Sequence, residues 1–562
     1  MCGLLTIYHK TKCIDLQRSL KALDTMEHRG PDGRGYQTYL DGRLFMGHRR
    51  LSIIDKSENA AQPYVSSNNC LVFNGEIYNY LELNKHFRSL QTEVSGDTEV
   101  LSELIILRGE RIFNDLNGMW GLVNYNQEAN NLLISRDRFG KKPLYYYNDD
   151  DVFIISSEIK PIIQSGYYTS VENPEAINEY FKSGQVDGLK ETFFKGIFRF
   201  PSSSFAYYDL NLGELHTPTK YYEINVEKYN RNPTHKVSTL QAEFKSLLSD
   251  AITLRMRSDV PLGVCLSGGL DSSSIYGLMH EKMTNDLHSF SAVFPDPECD
   301  ESEFIDCVVE KYPGVNHKVT PTTENFGNEF TKIMRSLEEP SKAPGVFPQW
   351  YVFKLASDHV TVILDGQGGD EILAGYDQYS GFYLADLLTK NPLSLLLSIR
   401  SILKEKGSKY TAHAIKGMIA VVLKNKPKFK RSYLKDKLKA DIECDILPAL
   451  LRYEDKLGMA HSLEARMPFL DYRVVDFVFS LDYRLLIQAG ILKFFLRSAM
   501  GQVLPSLVRN RTDKKGFPTP VKRILEENPA LGQYIDAQNQ NDATLWRKLS
   551  VAIWRNEFMD EC

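Results

Sequence analysis

The stretch that most constrains this chain lies near its midpoint. The run Pro261-Leu262-Gly263-Val264-Cys265-Leu266 is mostly apolar and breaks into Ser267-Gly268-Gly269-Leu270-Asp271-Ser272-Ser273. An apolar run that ends in a glycine pair and then meets a carboxylate and hydroxyls reads as a buried parallel strand turning through a phosphate-gripping loop into a helix. Gly268 and Gly269 let the backbone approach an anion closely. The loop amides and the hydroxyls of Ser267, Ser272 and Ser273 can donate to phosphate oxygens, and Asp271 can hold a Mg²⁺ on them. The Gly-Lys-Ser/Thr ending of the common kinase and GTPase loop is missing. A plain Ser/Gly turn capping a helix is the alternative, and the joint order of strand, glycines, aspartate and serines argues against it.

The sequence around this loop alternates helix and strand. Apolar positions recur at helical spacing from Lys236 to Arg257, just before the loop, and Leu287–Phe294 and Val360–Leu364 read as further strands. The last of these runs into Asp365-Gly366-Gln367-Gly368-Gly369-Asp370-Glu371. The alternation predicts a doubly wound parallel α/β sheet, in which ligands bind outside the carboxyl ends of the strands. The second loop is therefore expected beside the first, with Asp370 as a second Mg²⁺ contact across from Asp271.

At the other end the chain reads Met1-Cys2-Gly3-Leu4-Leu5-Thr6-Ile7-Tyr8. With Met1 removed, Cys2 would carry both a thiol and a free α-amine that titrates near about pH 8, so one residue would hold nucleophile and base. A cysteine at position 2 is ordinarily just a small apolar residue, so the weight falls on the motifs downstream of it. The remaining cysteines exclude other chemistries: the eight are scattered without a CxxC pair, and the 12 histidines show no HExxH spacing, which argues against zinc, iron–sulfur or a disulfide framework. A net charge of -5 spread over 562 residues asks for neither nucleic acid nor an anionic membrane as partner. No apolar run approaches the ~20 residues of a membrane span and no signal peptide is evident, so a cytoplasmic protein is expected.

After Cys2 come His28-Arg29-Gly30-Pro31-Asp32, Arg50-Leu51-Ser52-Ile53, Asn74-Gly75-Glu76-Ile77-Tyr78-Asn79, Gly96-Asp97-Thr98-Glu99 and Arg136-Asp137-Arg138-Phe139-Gly140-Lys141-Lys142-Pro143-Leu144-Tyr145-Tyr146. Together with Met1-Cys2-Gly3 these resemble the class II glutamine amidotransferase domain, an α+β sandwich of the Ntn (αββα) type with two central antiparallel sheets between helices. The resemblance implies that Cys2 attacks the side-chain amide of glutamine and that the Asn74 side chain and Gly75 amide hold the oxyanion. Arg50 would pair with the glutamine α-carboxylate, and Glu76 and Asp97 with its α-ammonium.

The loop at 267–273 resembles that of the ATP-pyrophosphatase (PP-loop, adenine nucleotide α-hydrolase-like) proteins. Ala374-Gly375-Tyr376, Asp455-Lys456, Glu464-Ala465-Arg466-Met467-Pro468-Phe469-Leu470-Asp471 and Lys493-Phe494-Phe495-Leu496-Arg497 resemble the glutamine-dependent asparagine synthetase family, and the match covers nearly the whole chain. That family implies ATP and Mg²⁺ as cofactors and glutamine, aspartate and ATP as substrates, with ammonia channelled to a β-aspartyl-AMP. Leu266, Ser267, Gly268, Gly269, Asp271, Ser272, Ser273, Ala292, Asp365 and Gly366 would surround ATP. Tyr376, Asp455 and Lys493 would take part in catalysis, the 464–471 segment would lie around the acyl-adenylate, and a homodimer is compatible with the family.

The expected layout is a glutaminase domain over 2–215, a linker over 216–235, and a synthetase domain over 236–562 with a helical insertion at about 377–450. The chain departs from some relatives at Gln367, where a glutamate proposed as a base is familiar; glutamine cannot take a proton. Glu338 and Glu339 fall where the acceptor is expected, or else at a solvated helix end. The basic run from Lys424 to Arg431 reads as a solvated face rather than a nucleic-acid or lipid site. Two other readings stay open: an amidotransferase acting on another carboxylate, such as a sugar acid or β-lactam precursor, and a PP-loop protein that modifies RNA or is non-catalytic.

Overall fold

The computed structural model describes all residues except 1, 88–93, 95, 227–235, 284–285, 425–431, 513–520, 529–530, 532–540 and 560–562. Ser95, the Lys514–Phe517 segment, the basic run after Lys424 and the second half of the expected linker therefore lie outside the described residues.

The first half of the chain forms two antiparallel sheets. One has six strands, with Cys2–His9 between Leu44–Arg50 and Val152–Ser156; the other centres on Asn69–Ile77, Gly118–Asn126 and Asn131–Arg136. Every residue of Cys2–His9 is buried, because the strand has packed layers on both faces. Side chains on a strand alternate between faces, so Leu4 and Tyr8 join Val72, Val123, Ile134 and Phe153 between the sheets. Leu5 and Ile7 point the other way, toward Ala22, Leu23 and Met26 near the helix Leu16–Asp24. This is the expected two-sheet sandwich between helices. It extends past the expected boundary at 215, since Thr219–Lys220 still pairs with Ser204–Phe205 of the second sheet.

After the helix Val237–Arg255 comes a wholly parallel sheet of five strands. Leu262–Cys265 lies at its centre, between His288–Ala292 and Val362–Leu364, and Glu464–Arg466 closes one edge. The adjacent parallel strands Leu262–Cys265 and Val362–Leu364 deliver both glycine-rich loops to the same end of the sheet, as the doubly wound pattern requires. The region 377–450 contributes the helix Tyr379–Lys390, two helices within Pro392–Lys424 that meet at a non-helical Gly407 (φ 79°, ψ 178°), and the helix Tyr433–Ala440. Leu447–Met459 follows; seven of its residues from Leu451 to Leu457 are buried, five of them polar or charged.

Candidate active sites

Cys2 begins its strand opposite Arg50, and Asn74 lies in the neighbouring sheet. The Cys2 backbone N–H donates to Asn74 Oδ1 at 3.2 Å, while Asn74 Nδ2 makes a long 3.4 Å bond to Ser157 Oγ. Gly75 is required by close approach, because a Cβ there would stand 2.0 Å from the Met119 carbonyl oxygen. Burial pushes the Cys2 thiol up in pKa against the opposing pull of the positive chain terminus, the Leu51 backbone and Arg50. A thiol held protonated this way needs a base before it can attack.

Glu76 and Asp97 are both buried and adjacent. Asp97 accepts the Ile77 N–H at 2.8 Å and is pushed up to about 6, by burial first, with Glu464 adding to it. Glu76 is driven well above the carboxylate range by burial and by Asp97. The pair therefore shares a single negative charge near neutrality. Arg50 donates to the backbone carbonyls of Ser57, at 2.8 Å, and Asp55, so its fork is held by the loop just after its own strand.

The segment 464–471, expected around the acyl-adenylate, instead sends Glu464 and Arg466 toward the glutamine side. Glu464 acts electrostatically on Cys2, Glu76 and Asp97, and Arg466 on Glu76 and Tyr78. None of 464–471 lines the large cavity of the second half. The strand carrying Glu464 is the edge of the parallel sheet that abuts the first domain, which a linear motif does not reveal.

That cavity, about 360 Å³, is lined by Leu266, Ser267, Gly269, Asp271, Ser272, Ala292, Asp365, Gly366, Asp370, Tyr376 and Lys493. Gly268, with a φ of +67°, packs against Phe304, and Ser273 is buried beneath the loop; neither lines the cavity. The Lys493 ammonium ion-pairs with Asp370 at 2.7 Å and with Asp271. Burial works against its charge, but the two aspartates outweigh burial and raise its pKa. Lys493 also adopts a left-handed backbone, φ 51° and ψ 33°, of the kind that clusters at functional sites. Gly375 leaves room for this group, since a Cβ there would fall 1.8 Å from Asp370 Oδ1 and 2.3 Å from Lys493 Cε. The Tyr376 hydroxyl donates to Glu371.

Asp455 does not reach this cavity. It is buried on Leu447–Met459 and faces the first domain, where Arg29 lies 2.9 Å away and Lys142 Nζ 3.1 Å away. Lys142 is aimed there by Asp137, whose carboxylate takes the N–H groups of Phe139, Lys141 and Lys142 and so folds the 137–142 turn around itself. Arg29 Nε in turn donates to the Cys2 carbonyl at 3.1 Å. Glu454, the preceding residue, accepts from Gln349, which lines the cavity.

Glu338 and Glu339 are fully buried, which corrects both expectations for them. Glu338 pairs with Lys456 and caps the N–H groups of Ile159 and Lys160, and Glu339 pairs with Arg199 and takes the Phe193 N–H. They fasten the two domains together. The sequence signal was present in Lys160, Arg199 and Lys456, but pairing across 118 to 178 residues cannot be read along the chain.

An asparagine synthase family model matches residues 243–553, and a glutamine amidotransferase domain model matches residues 1–222. The Bacillus subtilis glutamine-hydrolyzing asparagine synthetases 1 and 3 are 28% and 26% identical over 100% and 97% of this chain and 94% and 91% of their own lengths. A Methanocaldococcus jannaschii protein, given the same activity as a provisional assignment, is 32% identical over 82% of this chain and 93% of its own. With one model covering more than half of it and relatives aligned along nearly its full length, the chain belongs to the asparagine synthase family.

Proposed function

We propose that this protein is a glutamine-dependent asparagine synthetase with two reaction centres separated by one buried helix. The carrying observation is that the buried helix Leu447–Met459 touches both centres: Asp455 pairs with Arg29, which holds the Cys2 carbonyl, and Glu454 accepts from Gln349, which lines the Lys493 cavity.

In the first centre, the α-amine of Cys2, freed by loss of Met1, takes the thiol proton, and the sulfur adds to the glutamine side-chain carbonyl. Asn74 Nδ2 exchanges its weak bond to Ser157 for the developing oxyanion, and the Gly75 N–H is the second donor. The proton returns to the departing nitrogen, ammonia leaves, and water hydrolyses the thioester to glutamate. The shared negative charge of Glu76 and Asp97 holds the glutamine α-ammonium. Arg50 gives up loop carbonyls to take the α-carboxylate in a bidentate pair.

In the second centre, the family's ATP lies over the 267–273 loop. The aspartate side-chain carboxylate attacks the α-phosphorus, pyrophosphate leaves, and ammonia displaces AMP from the acyl-adenylate. Lys493 neutralises charge on the phosphates as it develops. Asp271 and Asp370 are the residues that would hold Mg²⁺. Their carboxylates already converge on one cation, and Gly369 leaves the space over Asp271 open; Mg²⁺ would add charge to bind pyrophosphate.

The test is product analysis with ATP, Mg²⁺, glutamine and a panel of carboxylate acceptors. Asparagine, AMP and pyrophosphate formed from aspartate in equal amounts are the expected result. Glutamate without asparagine, with AMP formed only from another acceptor, would replace aspartate and keep the two-centre architecture.

A further inference from the structure

The first of the two helices within Pro392–Lys424 buries Leu395, Ser398 and Ile402, at the three-and-four spacing of one helix face. Its inward side is thus already packed. On the other side Leu393, Leu396 and Leu397 are 80%, 69% and 68% exposed, and Leu403 is half exposed. Arg400 and Lys404 are exposed in the same stripe, since these positions recur every three or four residues. The second helix repeats the pattern: Met418 and Val421 are buried, while Ile419 and Leu423 are exposed among exposed Lys416 and Lys424. A single exposed leucine is ordinary on a protein surface, but a row of them along a face calls for something to cover it.

We propose that the outer face of the first helix docks the protein peripherally on an anionic membrane surface, its leucines entering the acyl boundary and Arg400 and Lys404 reaching the headgroup phosphates. Charge complementarity selects this occupant. The stretch Pro392–Lys424 holds Arg400, Lys404, Lys406, Lys409, Lys416 and Lys424 against Glu405 alone, within a chain whose net charge is -5. The whole-chain charge points away from a membrane only because the basic character is confined to this stretch. Long cations in an apolar stripe suit an interface, because their stems lie along the leucines and their heads stay in the polar layer. A second copy docked face to face would set Arg400 and Lys404 against their own copies. Nucleic acid would engage the cations and leave the leucines in water. Among the described residues no helix is long and apolar enough to cross a membrane, so the contact stays at the surface. The same helix runs on to Lys406, which lines the synthetase cavity and donates to the Thr512 carbonyl at 2.6 Å. The docked face therefore leads directly to the wall of that cavity.

The test is flotation of the full-length chain with vesicles of phosphatidylcholine alone and of phosphatidylcholine with about 30% phosphatidylglycerol, beside sedimentation without lipid. Wild type is expected to partition onto the anionic vesicles at least about tenfold better than onto the neutral ones, and to lose that advantage in high salt. Leu393→Ser, Leu396→Ser and Leu397→Ser together, and separately Arg400→Glu with Lys404→Glu, should each weaken anionic partitioning by at least about tenfold. Turnover in lipid-free buffer should be unchanged in both, since none of the five residues lines the cavity. The proposal is overturned if wild type does not float, if it prefers neither vesicle, or if either variant floats like wild type. A lipid-free dimer that the leucine variant converts to monomer, without flotation, would give the face to a second copy and overturn it as well. Should the leucine variant lose its fold by circular dichroism, the charge variant decides alone. Flotation needs no substrate, so a failure of the acceptor assignment above leaves this result standing, and the reverse.

Discussion

Asp97 is where binding and stability oppose each other. Its pKa in the fold, about 6, lies above the ordinary carboxylate value, so the folded state favours the neutral acid. The stability it contributes is present below the unfolded pKa and is lost as pH rises through the folded one. Asp97→Asn keeps an oxygen for the Ile77 N–H and removes that loss. Its stability relative to wild type should therefore climb between about pH 4 and 6 and level off above, measured by denaturant midpoints. The same change removes the shared negative charge, so the glutamine KM should rise while ammonium-dependent activity is kept. In wild type the glutamine KM should rise below about pH 6 as Asp97 takes up its proton. Two further substitutions separate the centres. Asn74→Ala should lower glutaminase kcat by about 10²–10³ through loss of one oxyanion donor and leave ammonium-dependent synthesis intact. Lys493→Ala should abolish most ATP–pyrophosphate exchange and leave glutamine hydrolysis in place, because only the phosphate centre uses that ammonium.

The element that joins the two centres is the helix Leu447–Met459. Its nine consecutive buried residues from Leu451 to Met459 leave no solvent face there, and three of the four charged residues among them are matched by countercharges: Arg452 by Asp187, Asp455 by Arg29 and Lys142, Lys456 by Glu338. Removing one partner of such a set leaves a buried charge uncompensated, typically at about 3–5 kcal/mol. Asp455→Ala is expected to lower the unfolding midpoint by a cost of that order, with Arg29 and the Cys2 carbonyl it holds displaced, and so to lose glutamine-dependent activity more than ammonium-dependent activity. This helix also marks what was legible in the sequence. The phosphate loop, the second loop at 365–371 and the Cys2, Asn74 and Asp97 set could be read because each is a short local pattern whose backbone role is fixed by neighbours in the chain. The fate of Asp455, Glu338 and Glu339 could not, since a charged residue reads as exposed until its partner is known, and their partners Arg29, Lys142, Lys456 and Arg199 lie in the other domain or far along the chain. The end of the first domain is hidden for a similar reason: Thr219–Lys220 is too short and polar to announce itself as a strand, and only its pairing with Ser204–Phe205 makes it one.

At the scale of the whole molecule, the two domains share a buried, charged seam rather than a mobile linker contact. Asn117 with Asp471, Arg29 with Asp455, Arg199 with Glu339 and Arg452 with Asp187 all cross it away from solvent. A seam of paired charges that would be costly to open keeps the centres in fixed relation, which is what transfer of a small, volatile, easily protonated intermediate demands. The most direct test is isotopic. The enzyme is given glutamine labelled with ¹⁵N in its side-chain amide, together with aspartate, ATP, Mg²⁺ and an excess of unlabelled ammonium, and the mass of the asparagine formed is measured. Internal transfer predicts asparagine carrying the label far above the labelled share of the free ammonium pool, with a Cys2→Ala variant making only unlabelled asparagine. Asparagine whose label matches the bulk pool from the first turnovers would contradict the account, since it would mean that ammonia leaves the protein before it is used.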